Sequence, residues 1–319
     1  MLLSVRDLRT HLHLKRGILR AVDGVSLEVG EGETLGLVGE SGSGKTLTGL
    51  SLLRLLPKGS GRIAGGSIRL DGEELTTLSE AQLARDIRGR RIAMIMQDPM
   101  TSLNPVFSIG DQVASPLRNH DIARGAALRS AVVDVLRRVR LPSPADRLGD
   151  YPHQFSGGQR QRIVAAMAIG CTPRLLVADE PTTALDVTIQ VQIINLLRTI
   201  QADTGAGIIL ITHDLGVAAS LCRRIAVMYA GQIVETAPVR AIYRTPSHPY
   251  TQALLAAIPR LGSKRTRLTA IAGQPPSLID PPSGCRFAPR CPVRMDRCAE
   301  PPPSVSIADG HSVACWKLV

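Results

Sequence analysis

One eight-residue stretch constrains this chain more than any other: G-E-S-G-S-G-K-T at residues 39–46. An apolar run, Thr34–Val38, precedes it, and a helix-forming segment, Lys45–Leu56, follows it and ends at Pro57. Glycines let the backbone turn so tightly that successive N–H groups point at phosphate oxygens, and the helix adds its positive end. The pattern predicts a phosphate-binding loop, with Lys45 reaching the β- and γ-phosphates and Thr46 binding Mg²⁺. The predicted phosphate contacts are Gly39, Ser41, Gly42, Ser43, Gly44, Lys45 and Thr46.

Short apolar strands alternate with helical segments along most of the chain, and this alternation predicts an α/β fold. Strands are predicted over 2–8, 25–29, 34–38, 67–70, 91–96, 175–178, 207–211 and 224–228. Helices are predicted over 157–169, 188–204 and 214–221, and residues 98–155 are mostly helical in pattern. Such alternation is typical of a mainly parallel sheet with helices on both faces.

Two acids follow the apolar strand predicted at Leu175–Ala178. An acid at a strand tip in a chain with a phosphate loop suits Mg²⁺, and we assign that role to Asp179. The next residue, Glu180, is placed to polarise the water that attacks the γ-phosphate. The pair therefore predicts hydrolysis of a nucleoside triphosphate.

A second glycine-containing segment, F-S-G-G-Q at residues 155–159, lies just before a predicted helix. It offers N–H groups and a hydroxyl at a helix N-terminus, which is another anion site. The segment resembles the signature sequence of ATP-binding-cassette (ABC) proteins, with Phe155 in place of the commoner Leu. The resemblance implies an ABC cassette with a mainly parallel core, an antiparallel β-subdomain and a helical subdomain. It also implies a head-to-tail pair of such domains, in which each signature closes over the partner's ATP through the residues that correspond to Ser156, Gly157, Gly158 and Gln159.

The remaining motifs of that family can be placed one by one. Gln97 resembles the Q-loop glutamine that touches Mg²⁺ or the attacking water, and Asp186, in Ala184-Leu185-Asp186, resembles the D-loop. His213 resembles the switch histidine that contacts the γ-phosphate. Glu180, His213 and Gln97 are thus the expected catalytic residues, and Thr46, Gln97 and Asp179 the expected Mg²⁺ ligands. The family's adenine-stacking aromatic is missing near the first strand, so His11 or His13 is the expected adenine contact.

Four of the six cysteines, Cys285, Cys291, Cys298 and Cys315, lie in a C-terminal segment rich in proline. Such a segment has too little apolar surface to fold without a cross-link such as a disulfide or a bound metal. In a cytosolic protein a metal is a better explanation than disulfides. Four thiolates suit a tetrahedral zinc ion or a [4Fe–4S] cluster, and the residues alone do not separate the two. Cys171 and Cys222 stand apart in apolar surroundings and are expected to be core residues.

The tail also carries a resemblance of its own. S-H-P-Y-T-Q-A-L-L at 247–255, A-I-P at 257–259, G-Q-P-P at 273–276 and G-C-R-F-A-P-R-C-P at 284–292 resemble the C-terminal extension of oligopeptide/dipeptide permease ATPase subunits, in particular the D-type. The resemblance implies a [4Fe–4S] cluster on the four cysteines. It implies four partners: a second, related ATPase in a heterodimer, two membrane permeases and an extracytoplasmic solute-binding protein. The expected domains are an ABC ATPase at 1–258, with a helical subdomain at about 98–160, and the extension at 259–319.

Composition bears on location and on a rival function. The chain has no apolar run long enough to span a membrane and no signal-peptide pattern, so we expect a peripheral protein at the cytoplasmic face of the inner membrane. Its net charge of +11 is also consistent with an alternative function, that of an ABC ATPase that acts on DNA. Aromatic residues make up only 3 %, and no heptad region interrupts 97–156, so transport without nucleic acid is favoured. A non-enzymatic metal sensor conflicts with the intact Lys45 and Glu180.

Overall fold

A computed structural model of the chain describes residues 1–183, 185–258 and 271–319, without the side chains of Pro99 and Met100. Ala184 of the predicted D-loop lies outside the described residues. So does the segment 259–270, which begins at the predicted boundary between cassette and extension.

Regular structure covers most of the described chain. The strands are β1 (Leu3–Leu14), β2 (Gly17–Val29), β3 (Thr34–Val38), β4 (Gly61–Leu70), β5 (Glu73–Glu74), β6 (Ile92–Ile95), β7 (Leu175–Asp179), β8 (Gly207–Thr212), β9 (Arg224–Tyr229), β10 (Gln232–Pro238), β11 (Ser304–Ala308) and β12 (His311–Ala314). The α-helices are α1 (Lys45–Leu52), α2 (Glu80–Gln82), α3 (Pro99–Ser102), α4 (Ile109–Asn119), α5 (Gly125–Arg138), α6 (Gly157–Ile169), α7 (Val187–Thr204), α8 (Leu215–Leu221), α9 (Val239–Arg244) and α10 (Pro249–Ala256). Short 3₁₀ turns lie at Pro152–Gln154, Ala288–Arg290, Asp296–Ala299 and Trp316–Leu318, and a π-helical turn at Leu83–Ile87.

The first of two compact units comprises Met1–Leu2, Val29–Thr34 and Thr77–Ile211. Its strands β6, β7 and β8 are parallel neighbours, with Ile92 opposite Leu175 and Leu175 opposite Gly207. Every residue of β7 is buried, as expected for a strand covered on both faces. Helices α4, α5 and α6 pack against one another in the same unit, within the region whose sequence pattern is helical.

The second unit comprises Leu3–Glu28, Leu35–Thr76 and Thr212–Val319. Strand β9 is parallel to β3, and β10, β12 and β11 continue from β9 as antiparallel neighbours. A separate antiparallel sheet has the order β2-β1-β4-β5. The mainly parallel sheet of the sequence interpretation is therefore a mixed one, because the hairpin β9–β10 and the C-terminal strands run antiparallel.

The C-terminal segment contains a hairpin that the sequence analysis does not predict. Strand β12 pairs with β10, placing Glu235 opposite Val313, and β11 covers its other edge. Strand β11, Ser-Val-Ser-Ile-Ala, alternates polar and apolar residues over only four positions, and most of it is exposed in the fold. The segment is therefore more regular than its proline content suggests.

Two further expectations concern helix length and the isolated cysteines. Helix α1 ends at Leu52, four residues before the predicted end, and Arg54 just beyond it has a positive φ of 50°. Cys171 is buried, as predicted, and burial raises the pKa of Cys222 to about 12. Within the described residues, no helix is long and apolar enough to cross a membrane.

Candidate nucleotide site

The phosphate loop joins β3 to α1 and depends on glycine at two positions. Gly39 has φ 157°, and a Cβ there would lie 2.1 Å from the carbonyl oxygen of Met228. Gly44 has φ 107°, and a Cβ there would lie 2.2 Å from the carbonyl oxygen of Ala21. Neither approach leaves room for a side chain, so the loop conformation requires glycine at both positions.

Lys45 is buried at the start of α1 and lies back along the loop. Its ammonium donates hydrogen bonds of 2.8 Å to the carbonyl oxygens of Gly39 and of Glu40. It also lies 3.5 Å from the hydroxyl of Ser43. The ammonium is thus held over the loop, where a bound phosphate would meet it, while Thr46 is exposed beside it.

Glu40 connects this loop to the C-terminal part of the chain, a feature that the sequence reasoning missed. Its backbone N–H donates to the hydroxyl of Tyr250 at 2.9 Å. Its carboxylate accepts two hydrogen bonds from Arg290, at 2.8 and 3.1 Å. Both partners fall inside tail motifs quoted above, but nothing in those motifs signals a contact with residue 40.

The acidic strand β7 ends as predicted, with Asp179 only 1 % exposed. Glu180 follows in the left-handed region at φ 45°, and its N–H donates to the carbonyl oxygen of Ile211 at 2.8 Å. Its carboxylate oxygen Oε2 accepts from the side-chain amide of Gln97 at 3.1 Å and from the hydroxyl of Thr183 at 2.8 Å. The structure therefore brings together two of the three predicted catalytic side chains and adds Thr183, which no motif indicated.

The signature segment forms the N-terminus of α6. Ser156 is the N-cap, and its hydroxyl accepts from the N–H of Gln159 while the Gln159 side chain accepts from the N–H of Ser156. Gly158 is buried, and a Cβ there would lie 2.9 Å from a methyl of Ile189. Phe155, in place of the commoner Leu, is buried with the guanidinium of Arg147 3.9 Å from its ring centroid.

The D-loop and switch residues both lie beside helix starts. Asp186 caps α7 by accepting from the N–H of Ile189 at 3.0 Å, and its side chain is exposed. His213 is exposed between β8 and α8, and Asp214 caps α8 through Gly216 at 2.7 Å. Both are accessible, as their expected contacts with nucleotide or partner require.

His11 and His13 lie two residues apart on β1, so their side chains leave the same face of the strand. His11 is opposite Arg62 of β4 and half-buried, whereas His13 is exposed. Burial lowers the pKa of His11, although Asp23 opposes this shift, and the neutral ring is favoured. Nothing in these contacts selects one histidine over the other as the adenine contact.

The four C-terminal cysteines converge, although they span 31 residues of sequence. Cys285, Cys291, Cys298 and Cys315 all line one cavity, together with the side chains of His248, Phe287, Met295 and Trp316. All four thiols are free, and burial raises the pKa of Cys285 and of Cys291. Within the described residues, no group of three or more His, Cys, Asp or Glu side chains is placed to hold a metal ion.

Comparison with known proteins gives two family matches and many relatives. The family described as "ABC transporter" matches residues 22–183, and "Oligopeptide/dipeptide transporter, C-terminal region" matches residues 234–298. The probable peptide ABC transporter ATP-binding protein y4tR of Sinorhizobium fredii is 50 % identical over 99 % of this chain and 95 % of its own length. The dipeptide transport ATP-binding protein DppD of Bacillus subtilis is 49 % identical over 98 % of this chain and 94 % of its own length. A putative peptide import ATP-binding protein of Brucella ovis is 47 % identical over 100 % and 98 % of the two lengths.

A solved structure agrees with the cassette part. The ATP-binding cassette MJ0796, determined as a dimer in a post-hydrolysis state with ADP and Pi, superposes with a TM-score of 0.65 at 26 % identity. The match covers 75 % of this chain and 99 % of that one. Because a family match spans half of the chain and the relatives align along nearly all of it, the chain belongs to the ABC transporter family, among the ATP-binding proteins that carry the oligopeptide/dipeptide transporter C-terminal region.

Proposed function

We propose that this chain is the ATP-hydrolysing subunit of an ABC importer for dipeptides or oligopeptides. The observation that carries the hydrolytic part is the Glu180 carboxylate at the tip of β7, held by Gln97 at 3.1 Å and by Thr183 at 2.8 Å. A carboxylate oriented by two donors is suited to polarise a water for attack on a phosphate. The peptide substrate rests on the names of the relatives, which are peptide or dipeptide transport proteins.

The chemistry of hydrolysis is mainly positioning and charge stabilisation. The loop glycines, Ser41 and Ser43 bind the phosphates, and Lys45 balances the charge of the β- and γ-phosphates. Glu180 orients the water, Gln97 and Thr183 orient Glu180, and His213 contacts the γ-phosphate. Thr46, Gln97 and Asp179 would hold Mg²⁺, and the ion would supply positive charge that offsets the charge developing on the phosphoryl oxygens.

The assembly that we propose contains more than this chain. Ser156, Gly157, Gly158 and Gln159 close over ATP on a second, related ATPase, and Asp186 crosses to the same partner. The exposed N-terminus of α6 and the exposed Asp186 support an intermolecular role for both motifs. Two permeases and an extracytoplasmic solute-binding protein complete the importer, with this chain peripheral on the cytoplasmic face of the membrane. The cassette is assigned to 1–258, its helical subdomain to about 98–160 and the extension to 259–319.

Affinity purification of the full chain from membranes tests this assembly. We expect co-purification of two permeases and a second ATPase, and ATP hydrolysis that rises when the peptide-loaded binding protein is added. Salt-sensitive binding to DNA without any permease would instead support the DNA-acting ATPase and overturn the proposal. Co-purification of a permease that responds to another solute would overturn only the peptide assignment.

We also propose that Cys285, Cys291, Cys298 and Cys315 hold a [4Fe–4S] cluster. Their convergence on one cavity lined mainly by apolar groups supports a shared ligand. A single zinc needs four thiolates at about 2.3 Å from one centre, whereas a cluster spreads its thiolates over four irons. We favour the cluster over zinc because the tail motifs resemble those of the D-type permease ATPase subunits, a resemblance that implies a [4Fe–4S] cluster. When bound, the cluster would cross-link the tail through four thiolates.

Anaerobic purification tests the cluster directly. We expect a brown protein with broad absorbance near 400 nm, and iron and sulfide in equal amounts. Replacing Cys298, the most buried of the four, by Ser should remove the colour, whereas replacing the isolated Cys171 by Ser should not. A colourless protein that contains zinc would rule the cluster out.

A further inference from the structure

We infer that Arg290 is a positioning residue for the phosphate-binding loop, which it holds by pairing with Glu40 and neutralising that carboxylate beside the nucleotide phosphates. This inference rests on the proposed ATPase function and adds a residue from the C-terminal extension to it. The contacts involved all lie within the second compact unit.

Arg290 uses all five of its N–H donors. Its Nε donates to the carbonyl oxygen of Ala272 at 2.9 Å, and Nη2 donates to that of Ile271 at 3.3 Å. The remaining donors reach the Glu40 carboxylate, at 2.8 and 3.1 Å, and the hydroxyl of Tyr229, at 3.3 Å. The side chain is only 4 % exposed. A fully bonded, buried guanidinium has one stable orientation, and its bidentate pair with Glu40 has little freedom.

Glu40 is held at three points by three different residues. Its carboxylate pairs with Arg290, its N–H donates to Tyr250, and its carbonyl oxygen accepts from Lys45 at 2.8 Å. The last contact involves the ammonium that is assigned to the phosphates. A shift of Glu40 would therefore move the carbonyl to which Lys45 is bound.

Charge gives Arg290 a role beyond anchoring. Glu40 is the second residue of a loop that binds a polyanion, so an unpaired carboxylate there would repel the β- and γ-phosphates. The carboxylate is about one-quarter exposed, which leaves its charge partly unscreened by solvent. An arginine guanidinium does not deprotonate in proteins, and that of Arg290 lies 2.8 Å from the Glu40 carboxylate. Arg290 thereby offsets the carboxylate with a permanent charge.

A buried aromatic cluster contacts both members of the Arg290–Glu40 pair, through the hydroxyls of Tyr229 and Tyr250. The rings of Tyr229 and Tyr250 are 4.5 Å apart, and Phe287 packs edge-on against Tyr229 at 5.3 Å. Phe287 and Arg290 both lie between Cys285 and Cys291, in the segment that holds two of the four cysteines. The position of the guanidinium therefore depends on how that segment folds, and the extension acts on the ATP site through it.

Equilibrium binding of Mg-ATP and Mg-ADP to the full-length chain tests the inference. Arg290→Gln should raise the Kd for ATP about tenfold and that for ADP about threefold, because repulsion from Glu40 grows with the charge of the nucleotide. Glu40→Gln alone should stay within about threefold of wild type. The double variant should also return to within about threefold, because the repelling charge is gone. A purely structural role of Arg290 predicts that ATP and ADP weaken equally and that the second substitution gives no rescue.

Controls separate this inference from folding defects and from the proposed function. Arg294→Gln, which changes an exposed arginine three residues after Cys291, should bind both nucleotides as wild type does. If Arg290→Gln does not fold, Arg290→Lys, which keeps the charge, should weaken ATP binding by less than threefold, and a tenfold loss there contradicts charge compensation. Wild-type protein that binds no ATP would overturn the proposed function, whereas wild-type affinity for ATP in Arg290→Gln would overturn this inference alone.

Discussion

Glu180 has an unusual backbone for the residue assigned to water activation. A φ of 45° ends the strand abruptly, and for a residue other than glycine this conformation is disfavoured. The N–H of Glu180 makes the last hydrogen bond to β8, and the turn there directs the carboxylate to Gln97 and Thr183. Glu180 therefore combines a strained backbone with an oriented carboxylate, a combination that is common at active sites.

Substituting Glu180→Gln should abolish turnover and leave ATP binding intact. The amide cannot polarise water as a carboxylate does, so phosphate release should fall by about 100-fold or more. Single-turnover hydrolysis and retention of bound ATP measure the two effects. Thr183→Val, which removes one hydrogen bond to the carboxylate, serves as a milder companion with a loss of a few-fold. Hydrolysis by Glu180→Gln above a tenth of the wild-type rate would contradict the assigned role.

His11 and His13 are the two residues expected to contact adenine. Because His11 and His13 project from the same face of β1, either ring could stack on the base. Loss of base stacking is worth about 1–3 kcal/mol, so His11→Ala or His13→Ala should raise the Kd for ATP about fivefold or more. Titration of each variant with ATP checks this. Unchanged affinity in both variants would place the contact elsewhere.

Among the elements, the short strand β5 depends on one carboxylate. Glu74 accepts hydrogen bonds from the backbone N–H of Ile68 at 3.0 Å and of Thr76 at 3.2 Å, and from the hydroxyls of Ser67 and Thr76. Burial alone would raise the pKa of Glu74, but these hydrogen bonds lower it to about 2. The ionised form thus ties β5 to β4.

Glu74→Gln should therefore destabilise the protein in a pH-dependent way. The folded pKa lies below the unfolded one, so the stabilisation is complete above about pH 4.5 and is lost as the pH falls towards 2. At pH 7 we expect the free energy of unfolding to fall by about 1–3 kcal/mol. Chemical denaturation of both proteins from pH 7 to 3 should show the difference shrinking. The neighbouring, exposed Glu73→Gln is the control, and a difference independent of pH would contradict the assignment.

For the molecule as a whole, the C-terminal extension is part of the core. Phe287 is 1 % exposed and packs on Tyr229 and Tyr250. The buried carboxylate of Glu235 in β10 accepts from His311 of β12 at 2.8 Å. Removing the extension would expose the rings and leave Glu235 without one of its partners.

A chain that ends at Ile258 should accordingly be much less stable than the full chain. Loss of one buried phenylalanine is worth about 3–5 kcal/mol, which corresponds to a Tm lower by about 5–9 °C for a chain of this size. Thermal unfolding by circular dichroism measures this. Removal of only Leu318 and Val319, which are partly exposed, is the control. An equal Tm for the truncated and full chains would show that the cassette is independent of its extension.

The sequence by itself determined the local parts of this protein. The phosphate loop at 39–46, the acidic pair Asp179 and Glu180 and the cap at Ser156 are each encoded by contiguous residues, since turn geometry and helix capping are local. Strand and helix periodicity likewise predicted most of the α/β order. Boundaries were less exact, as α1 shows, because a helix ends where its packing stops.

Only the tertiary structure decided which residues distant in sequence contact the phosphate loop. Tyr250 and Arg290 meet Glu40 from 210 and 250 residues away, and the hairpin β11–β12 joins the edge of β10. Such contacts depend on strand register and on the packing of side chains distant in sequence, which leave no local periodic signal. The four cysteines are intermediate: their residue types predicted a shared site, and the fold brought them around one cavity.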